Sequence, residues 1–201
     1  MRKHLIGITG RLGSGKTTVL RMLAELGAGT LDADGVVHKL LRRDTQVGEA
    51  VVEEFGESIL DASDNIDRRR LGRIVFSDPK ALARLEDIVH PAVIEETVGW
   101  TRSAPEPVLA VEAVKLVESG MHHRFDAVWL VTADPDTVRR RLLRRDELSA
   151  TEIDARLSAQ GSGAAKREAA DVIIDNSGSK AETRVLVARA WARIPASATV
   201  G

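Results

Sequence analysis

The chain has 201 residues, a formal net charge of −1 at pH 7, 43% hydrophobic residues and 29% charged residues. These values fit one soluble domain, with or without inserted parts, and the near-zero charge gives no general attraction to nucleic acid or anionic lipid. Because there is no cysteine and no apolar run approaches the roughly 18 residues of a membrane span, we exclude disulfides, thiolate chemistry and a transmembrane helix, and we expect a cytoplasmic protein.

The most specific signal lies between the first two predicted elements. Residues 3–9 are predicted as a buried strand and residues 15–27 as a helix. The motif G-x-x-x-x-G-K-T joins them, running from Gly10 to Thr17. A chance glycine-rich turn is the alternative, but a complete motif between a strand and a helix favours binding of a nucleoside triphosphate.

The residue types in this loop match the chemistry of phosphate binding. Glycines 10, 13 and 15 permit the backbone angles and the close approach that phosphates require, and the following helix adds its N-terminal dipole. Lys16 would reach the β- and γ-phosphates, and the Thr17 hydroxyl would ligate Mg²⁺. We therefore predict ATP as a substrate and Mg²⁺ as a cofactor. The residues assigned to nucleotide binding in this segment are Gly10, Leu12, Gly13, Ser14, Gly15, Lys16, Thr17 and Thr18.

Two acids, Asp32 and Asp34, end the second predicted strand. Alternation along an extended segment puts both on one side, and ligands of parallel sheets bind beyond the carboxyl ends of the strands. Either acid is thus placed to accept a proton from an attacking hydroxyl or to hold the metal through water. The alternative for Asp34 is a helix N-cap before the amphipathic stretch that begins at Val36. We favour the chemical role.

Residues 35–100 are predicted as a helical insertion, because apolar residues recur there at helical spacing. Such an insertion is too long for a plain connection and should form a substrate-holding wall. His90-Pro91 is predicted to interrupt a helix, with Pro91 in the first turn of the next one. The arginines at 68–70 could meet an anionic substrate, but we expect most of them to form a solvated helix face.

Two further apolar segments, residues 107–114 and 127–132, are predicted as buried parallel strands. The first carries Glu112 and is followed by Glu118. A carboxylate at the end of such a strand can hold Mg²⁺ through water, whereas the alternative for Glu118 is an acid on a helix face.

Asp134-Pro135 begins a helix that is rich in arginine. Arg141 and Arg145 are four residues apart and share a helix face, and guanidinium groups can grip the oxygens of a transferring phosphate. A helix of this kind commonly belongs to a lid over the nucleotide. A solvated charged helix is the alternative for some of these arginines.

Residues 172–175 are predicted as the fifth strand, and Asn176 lies in the turn that follows it. The donor and acceptor groups of Asn176 suit the edge of an adenine base, although a plain turn asparagine is equally in keeping with the pattern. The predicted fold is therefore α/β, a P-loop NTPase fold with a five-stranded parallel sheet, flanking helices, a helical substrate-binding insertion and a helical lid.

These motifs resemble those of the dephospho-coenzyme A kinase family, and the resemblance runs from about Leu5 to Arg193. It rests on the phosphate loop, on Asp32-Ala33-Asp34, and on the segment with His90-Pro91. It also includes Asp67-Arg68, Leu71 to Phe76, Leu85-Glu86, Arg145-Asp146, Arg156, Gln160, Lys166, Ala170 to Ile173 and Asn176. The phosphate loop is shared by many families, whereas the other blocks taken together are much more selective.

The resemblance implies transfer of the ATP γ-phosphate to the 3′-hydroxyl of dephospho-coenzyme A, the last step of coenzyme A synthesis. It implies one kinase unit with a core (about 1–34, 101–137 and 168–195), a coenzyme A-binding insertion (35–100) and a lid (138–167). Asp34 resembles the base, Lys16 and Thr17 the phosphate and magnesium residues, and Arg141 and Arg145 the lid arginines. The residues assigned to the acceptor are Asp32, Asp34, His90, Lys115 and Glu118.

The chain departs from the family pattern at three points, one of which is the unusually small and glycine-rich linker from Gln160 to Lys166. Val114-Lys115-Leu116-Val117-Glu118 stands where the family usually has a Pro-Leu-Leu segment, and Arg11 stands where the loop usually has glycine. Two alternatives stay open: another small-molecule or nucleoside monophosphate kinase, and a nucleotide-dependent switch without phosphoryl transfer. We expect ATP and dephospho-coenzyme A as partners, no nucleic acid or membrane, and a monomer or weak homo-oligomer.

Overall fold

The computed structural model describes residues 2–145, 153–154, 157 and 163–195. The chain divides into two units. A core unit comprises residues 1–32 and 104–201, and a helical unit comprises residues 33–103. Among the described residues, no helix combines the length and the apolar character that crossing a lipid bilayer requires.

The core unit is built on one five-stranded sheet in which every strand pairing is parallel. The strands stand in the order β2-β3-β1-β4-β5, which confirms the predicted α/β fold with a five-stranded parallel sheet. Their bounds are β1 His4–Thr9, β2 Gly29–Asp32, β3 Val108–Glu112, β4 Ala127–Thr132 and β5 Val172–Asp175.

Helices flank this sheet, and their sequences explain where they begin. Asp134 accepts a hydrogen bond from the Thr137 amide at 2.8 Å and so caps α6, while Ser179 and Glu182 form a capping box at the start of α8. The helices of the core unit are α1 Lys16–Glu25, α6 Pro135–Arg145, α7 Ala164–Glu168 and α8 Lys180–Trp191.

The core lies between the sheet and its helices. Ile6, Ile8 and Trp129 from the strands pack with Leu23 of α1 and Val187 of α8, and all five side chains are essentially buried. Strands buried on both faces need apolar residues at successive positions, and β3 is buried at all five positions. The last of them, Glu112, is the one charged residue of the strand, and it lies at the carboxyl end of the sheet, where the candidate site is found.

The helical unit consists of four α-helices and a short 3-10 helix at Glu57–Ile59, and short-range signals in the sequence fix several of the α-helix ends. Asp67 accepts hydrogen bonds from the amides of Arg69 and Arg70, and Pro79 occupies the first position of the last helix. The bounds are α2 Ala33–Leu40, α3 Gln46–Phe55, α4 Arg68–Ser77 and α5 Pro79–Ser103.

Two expectations about this unit were wrong. Pro91 does not start a helix but lies inside α5; a proline in a helix interior costs about 3 kcal/mol through its missing N–H and its clash with the preceding turn, and burial of Val89 and Val93 on either side of it opposes that cost. Asp34 does not share an extended segment with Asp32, because β2 ends at Asp32 and Asp34 lies in the first turn of α2. The alternation argument therefore fails for this pair.

Candidate active site

The phosphate loop joins β1 to α1 and has the backbone that its glycines were expected to permit. Gly13 and Gly15 have φ of 76° and 92°, in the left-handed region that favours glycine. At Gly15 an added Cβ would also overlap the side-chain amide of Asn176. The loop is therefore closely packed against the turn after β5.

The first turn of α1 presents the two side chains expected to contact the nucleotide. Lys16 is 7% exposed, and its Nζ lies 4.0 Å from Glu112 Oε1. The Thr17 hydroxyl donates a hydrogen bond to the same oxygen at 3.2 Å. Among the described side chains, none caps this helix end, which leaves a positive N-terminus of the kind that binds phosphate.

Glu112 joins the acids of this sheet edge. It is 5% exposed, and the strand register places it opposite both Ile8 of β1 and Asp32 of β2. In the sequence, Glu112 was one of two carboxylates at or after the end of a strand. A stronger indication of its role lay in its position, because it is an acid at the last position of a strand that is otherwise apolar on both faces.

Glu118, the other carboxylate, lies elsewhere. Its Oε1 pairs with the Lys166 ammonium at 2.9 Å, and 47% of its side chain is exposed. Lys115 is exposed. The two glutamates thus have different surroundings, since Glu112, the last residue of β3, contacts Thr17 of α1, and Glu118, in the loop after β3, pairs with Lys166 of α7.

The Asn176 side chain is hydrogen-bonded to the phosphate loop. It is 3% exposed; its Nδ2 donates to the Ser14 carbonyl at 2.7 Å, and its Oδ1 accepts from the Thr183 hydroxyl at 2.8 Å. Both polar groups of the side chain thus have partners within the protein, and the expected contact with an adenine edge stays a prediction. Arg141 completes this support, donating to the carbonyls of Asn176 at 2.8 Å and Ser14 at 3.4 Å.

Arg11, which replaces a glycine of the family pattern, reaches across to the segment after α6. Its guanidinium donates to the Leu157 carbonyl at 2.6 Å. Beside it lies a cavity of about 340 Å³. Among the described residues, its lining includes Arg11, Leu12, Ser14, Lys166 and Arg167. The first half of the phosphate loop therefore borders α7 as well as the predicted lid.

The remaining predicted site residues divide into two groups. Asp34 and His90 are half-buried side chains of the helical unit, on α2 and α5 respectively. The Arg145 side chain, Asp146, Arg156 and Gln160 lie outside the described residues. In the helical unit, the arginines at 68–70 are all exposed, as expected for a solvated helix face.

The donor atoms near Thr17 suit a hard cation. Mg²⁺ in phosphate-loop enzymes is held by a hydroxyl, by substrate phosphates and by few carboxylates, usually with water. The Thr17 hydroxyl beside the Glu112 carboxylate offers such a set. Within the described chain, no group of three or more His, Cys, Asp or Glu side chains could hold a metal ion, so a site here would depend on phosphate oxygens.

Comparison with known proteins gives a consistent result. The family model described as dephospho-CoA kinase matches residues 4–182. A dephospho-CoA kinase of Symbiobacterium thermophilum is 44% identical over 191 residues, covering 94% of this chain and 80% of the relative. The dephospho-CoA kinase of Geobacter sulfurreducens is 39% identical over 193 residues, covering 94% and 98% respectively.

Solved structures agree with the sequence comparison. A dephospho-CoA kinase from Campylobacter jejuni superposes with a TM-score of 0.68 at 26% identity, covering 97% of this chain and 98% of the other. A shikimate kinase from Acinetobacter baumannii, solved with shikimate, has a TM-score of 0.55 at 17% identity, with coverage of 97% and 94%. The second match shows the fold alone and extends it to kinases with other acceptors.

Proposed function

We propose a function from one premise: the chain belongs to the dephospho-CoA kinase family. It phosphorylates the 3′-hydroxyl of dephospho-coenzyme A with ATP and releases coenzyme A and ADP, the last step of coenzyme A synthesis. The observation that supports this function most directly is the arrangement of Lys16, Thr17 and Glu112 at the carboxyl end of β3.

The phosphate loop binds and orients ATP. The glycines bring backbone amides close to the phosphates, and Lys16 places its ammonium group on the β- and γ-phosphates. Thr17 and Glu112 would hold Mg²⁺, which neutralises phosphate charge when bound. Arg141, already hydrogen-bonded to the loop at Ser14, and Arg145 stabilise the charge spread over the transferring group.

Asp34 acts as the base in this proposal. It accepts the proton of the 3′-hydroxyl while the ribose oxygen forms a bond to the γ-phosphorus and the bond from that phosphorus to the ADP oxygen breaks. Two features support the assignment. The chain reaches Asp34 two residues beyond Asp32, whose register partner is Glu112, and α2 places it in a first turn.

We assign binding of the acceptor to Asp32, Asp34, His90, Lys115 and Glu118, with residues 35–100 holding the coenzyme A moiety and residues 138–167 closing as a lid. The half-buried positions of Asp34 and His90 in the helical unit support this assignment. The oligomeric state and the cytoplasmic location stay predictions.

An acceptor panel tests the function directly. ADP release is measured with ATP, Mg²⁺ and one of dephospho-coenzyme A, adenosine, AMP, CMP, shikimate or no acceptor, and products are identified by mass spectrometry. We expect turnover with dephospho-coenzyme A alone and formation of coenzyme A. Turnover with another acceptor would keep the kinase chemistry and reject the substrate, whereas ADP release independent of acceptor would indicate a hydrolase or switch.

A further inference from the structure

We propose that Lys166 of α7 is a positioning residue for phosphoryl transfer, which holds the loop after β3 against the start of the phosphate loop and thereby orients the acceptor side of the site. This inference rests on the proposed kinase function. It concerns a side chain that the mechanism above does not use.

The first observation is the burial of this charge. The Lys166 side chain is 6% exposed, although lysine is almost never buried without a partner. Its Nζ donates to the Val114 carbonyl and pairs with Glu118 Oε1 at 2.9 Å. Both partners belong to the loop after β3, so one ammonium group joins two positions of that loop, Val114 and Glu118.

The Val114 carbonyl connects this bridge to the phosphate loop. It also accepts a hydrogen bond from the Thr9 hydroxyl at 3.2 Å. Thr9 is fully buried and directly precedes Gly10. Lys166 and Thr9 therefore hold one carbonyl from two sides, and that carbonyl fixes the entrance of the phosphate loop relative to the loop after β3.

The bridge also acts on the acid of the site. Glu112 lies two residues before Val114 and contacts the Thr17 hydroxyl, and the intervening Ala113 amide donates to the Ile8 carbonyl at 3.0 Å. A shift of Val114 would therefore change the position of Glu112 relative to Thr17. Small displacements of this kind matter, since misplacement by about 1 Å can reduce a rate roughly 10²-fold.

The buried charge of Lys166 is not explained by packing alone. Replacing a buried ion pair with apolar residues of similar size is often neutral or stabilising, so stability alone does not call for an ammonium group here. Glu118 keeps 47% of its side chain exposed. Lys166 can thus fix one carboxylate oxygen while the group stays accessible to an acceptor, which is the geometry expected of a positioning contact.

The test compares Lys166→Met with Lys166→Arg and with Arg189→Met. Arg189 is exposed on α8, outside the predicted lid, and provides a control for loss of one positive charge. For each variant we would measure kcat and KM for dephospho-coenzyme A and the dissociation constant of an ATP analogue. Circular dichroism would give the folded fraction. We expect Lys166→Met to lower kcat/KM for the acceptor about 10- to 100-fold, as for other residues that orient a site, with nucleotide affinity changed less than about 3-fold.

Lys166→Arg should recover part of the loss, because a guanidinium can also donate to both partners, and Arg189→Met should behave as wild type. A double-mutant cycle with Glu118→Gln separates positioning from packing. If Lys166 acts through this loop, the double variant loses less than the product of the single losses. Losses that multiply, or normal kcat/KM per folded molecule, would overturn the proposal.

Failure of the proposed function has a different signature. If wild-type enzyme does not phosphorylate dephospho-coenzyme A, the substrate assignment fails, and the Lys166 variants are then measured with the acceptor that the panel identifies. The positioning role is rejected only when the variants match wild type on an acceptor that wild type phosphorylates.

Discussion

The core unit and the helical unit use their buried positions in different ways. In the core unit Lys16, Glu112, Lys166 and Asn176 are all at most 7% exposed. In the helical unit, every residue of which is described, Thr97 is the one polar side chain that is buried. Its charged residues lie outside the core of the unit, as the exposed arginines at 68–70 illustrate.

The difference follows from how each architecture satisfies its polar groups. A helix pairs its own backbone groups, so a helical unit needs only an apolar face to pack. At the carboxyl ends of parallel strands the chain turns away, and backbone carbonyls such as those of Ser14 and Val114 become partners for buried side chains. Buried polar residues therefore mark the candidate site in the core unit, whereas in the fully described helical unit the buried side chains are apolar apart from Thr97.

Substitution of Asp34 would produce the largest effect, because it removes the one chemical role that we assign to the helical unit. Asp34→Asn should reduce kcat by about 10²- to 10⁴-fold, the usual contribution of a general base, with little change in ATP affinity. Steady-state kinetics and binding of an ATP analogue measure the two effects. Glu53→Gln, at an exposed position on α3, is the matched control. Unchanged turnover in Asp34→Asn would exclude Asp34 as the base and would leave the core unit as the source of the reacting groups.

Sequence patterns predicted the core unit well because its signals are local. Each of the five strands was placed within two residues at either end. β3 and β4 show the reason most clearly, since buried parallel strands are continuous apolar runs between turns. The phosphate loop, the start of α1 at Lys16 and the cap at Asp134 follow from short-range chemistry in the same way. Such features need no knowledge of distant residues.

The patterns do not predict contacts between residues that are distant in sequence. The Asn176 amide donates to the Ser14 carbonyl, 162 residues away, and its contact with an adenine edge stays a prediction. Lys166 is bonded to Val114 across 52 residues, and no local pattern predicts this contact. Pro91 stays inside α5 because burial of the same helix offsets its local cost. Each of these features depends on packing in the folded chain, which local sequence preferences do not describe.

The two asparagines of the chain offer a matched test of the comparison, since one lies in each unit. Asn176→Ala leaves the buried Ser14 carbonyl without this amide, so we expect the free energy of unfolding to fall by about 1–3 kcal/mol and ATP binding to weaken. Asn65→Ala changes an exposed turn of the helical unit and should stay within about 0.5 kcal/mol. Urea unfolding and nucleotide titration measure both. Equal effects would contradict the difference drawn between the units.

The helix caps should show the smallest effect, and here the two units should behave alike. Hydrogen bonds from the amides of Arg70 and Arg69 lower the pKa of Asp67, and hydrogen bonds from the Thr137 side chain and amide lower the pKa of Asp134. A carboxylate whose folded pKa is depressed adds stability above its unfolded pKa, and that stability is lost as pH falls through the folded value. Both contributions should therefore disappear below the ordinary value of 3.8.

Asp67→Asn and Asp134→Asn isolate this effect, because asparagine caps a helix without titrating. In each variant the free energy of unfolding should decline less steeply than in wild type as pH falls below 3.8, and the two variants should respond similarly. A response confined to Asp134→Asn would mean that the core unit controls even the exposed charges of the fold. Similar responses would restrict the contrast between the units to the buried polar groups at the ends of the strands.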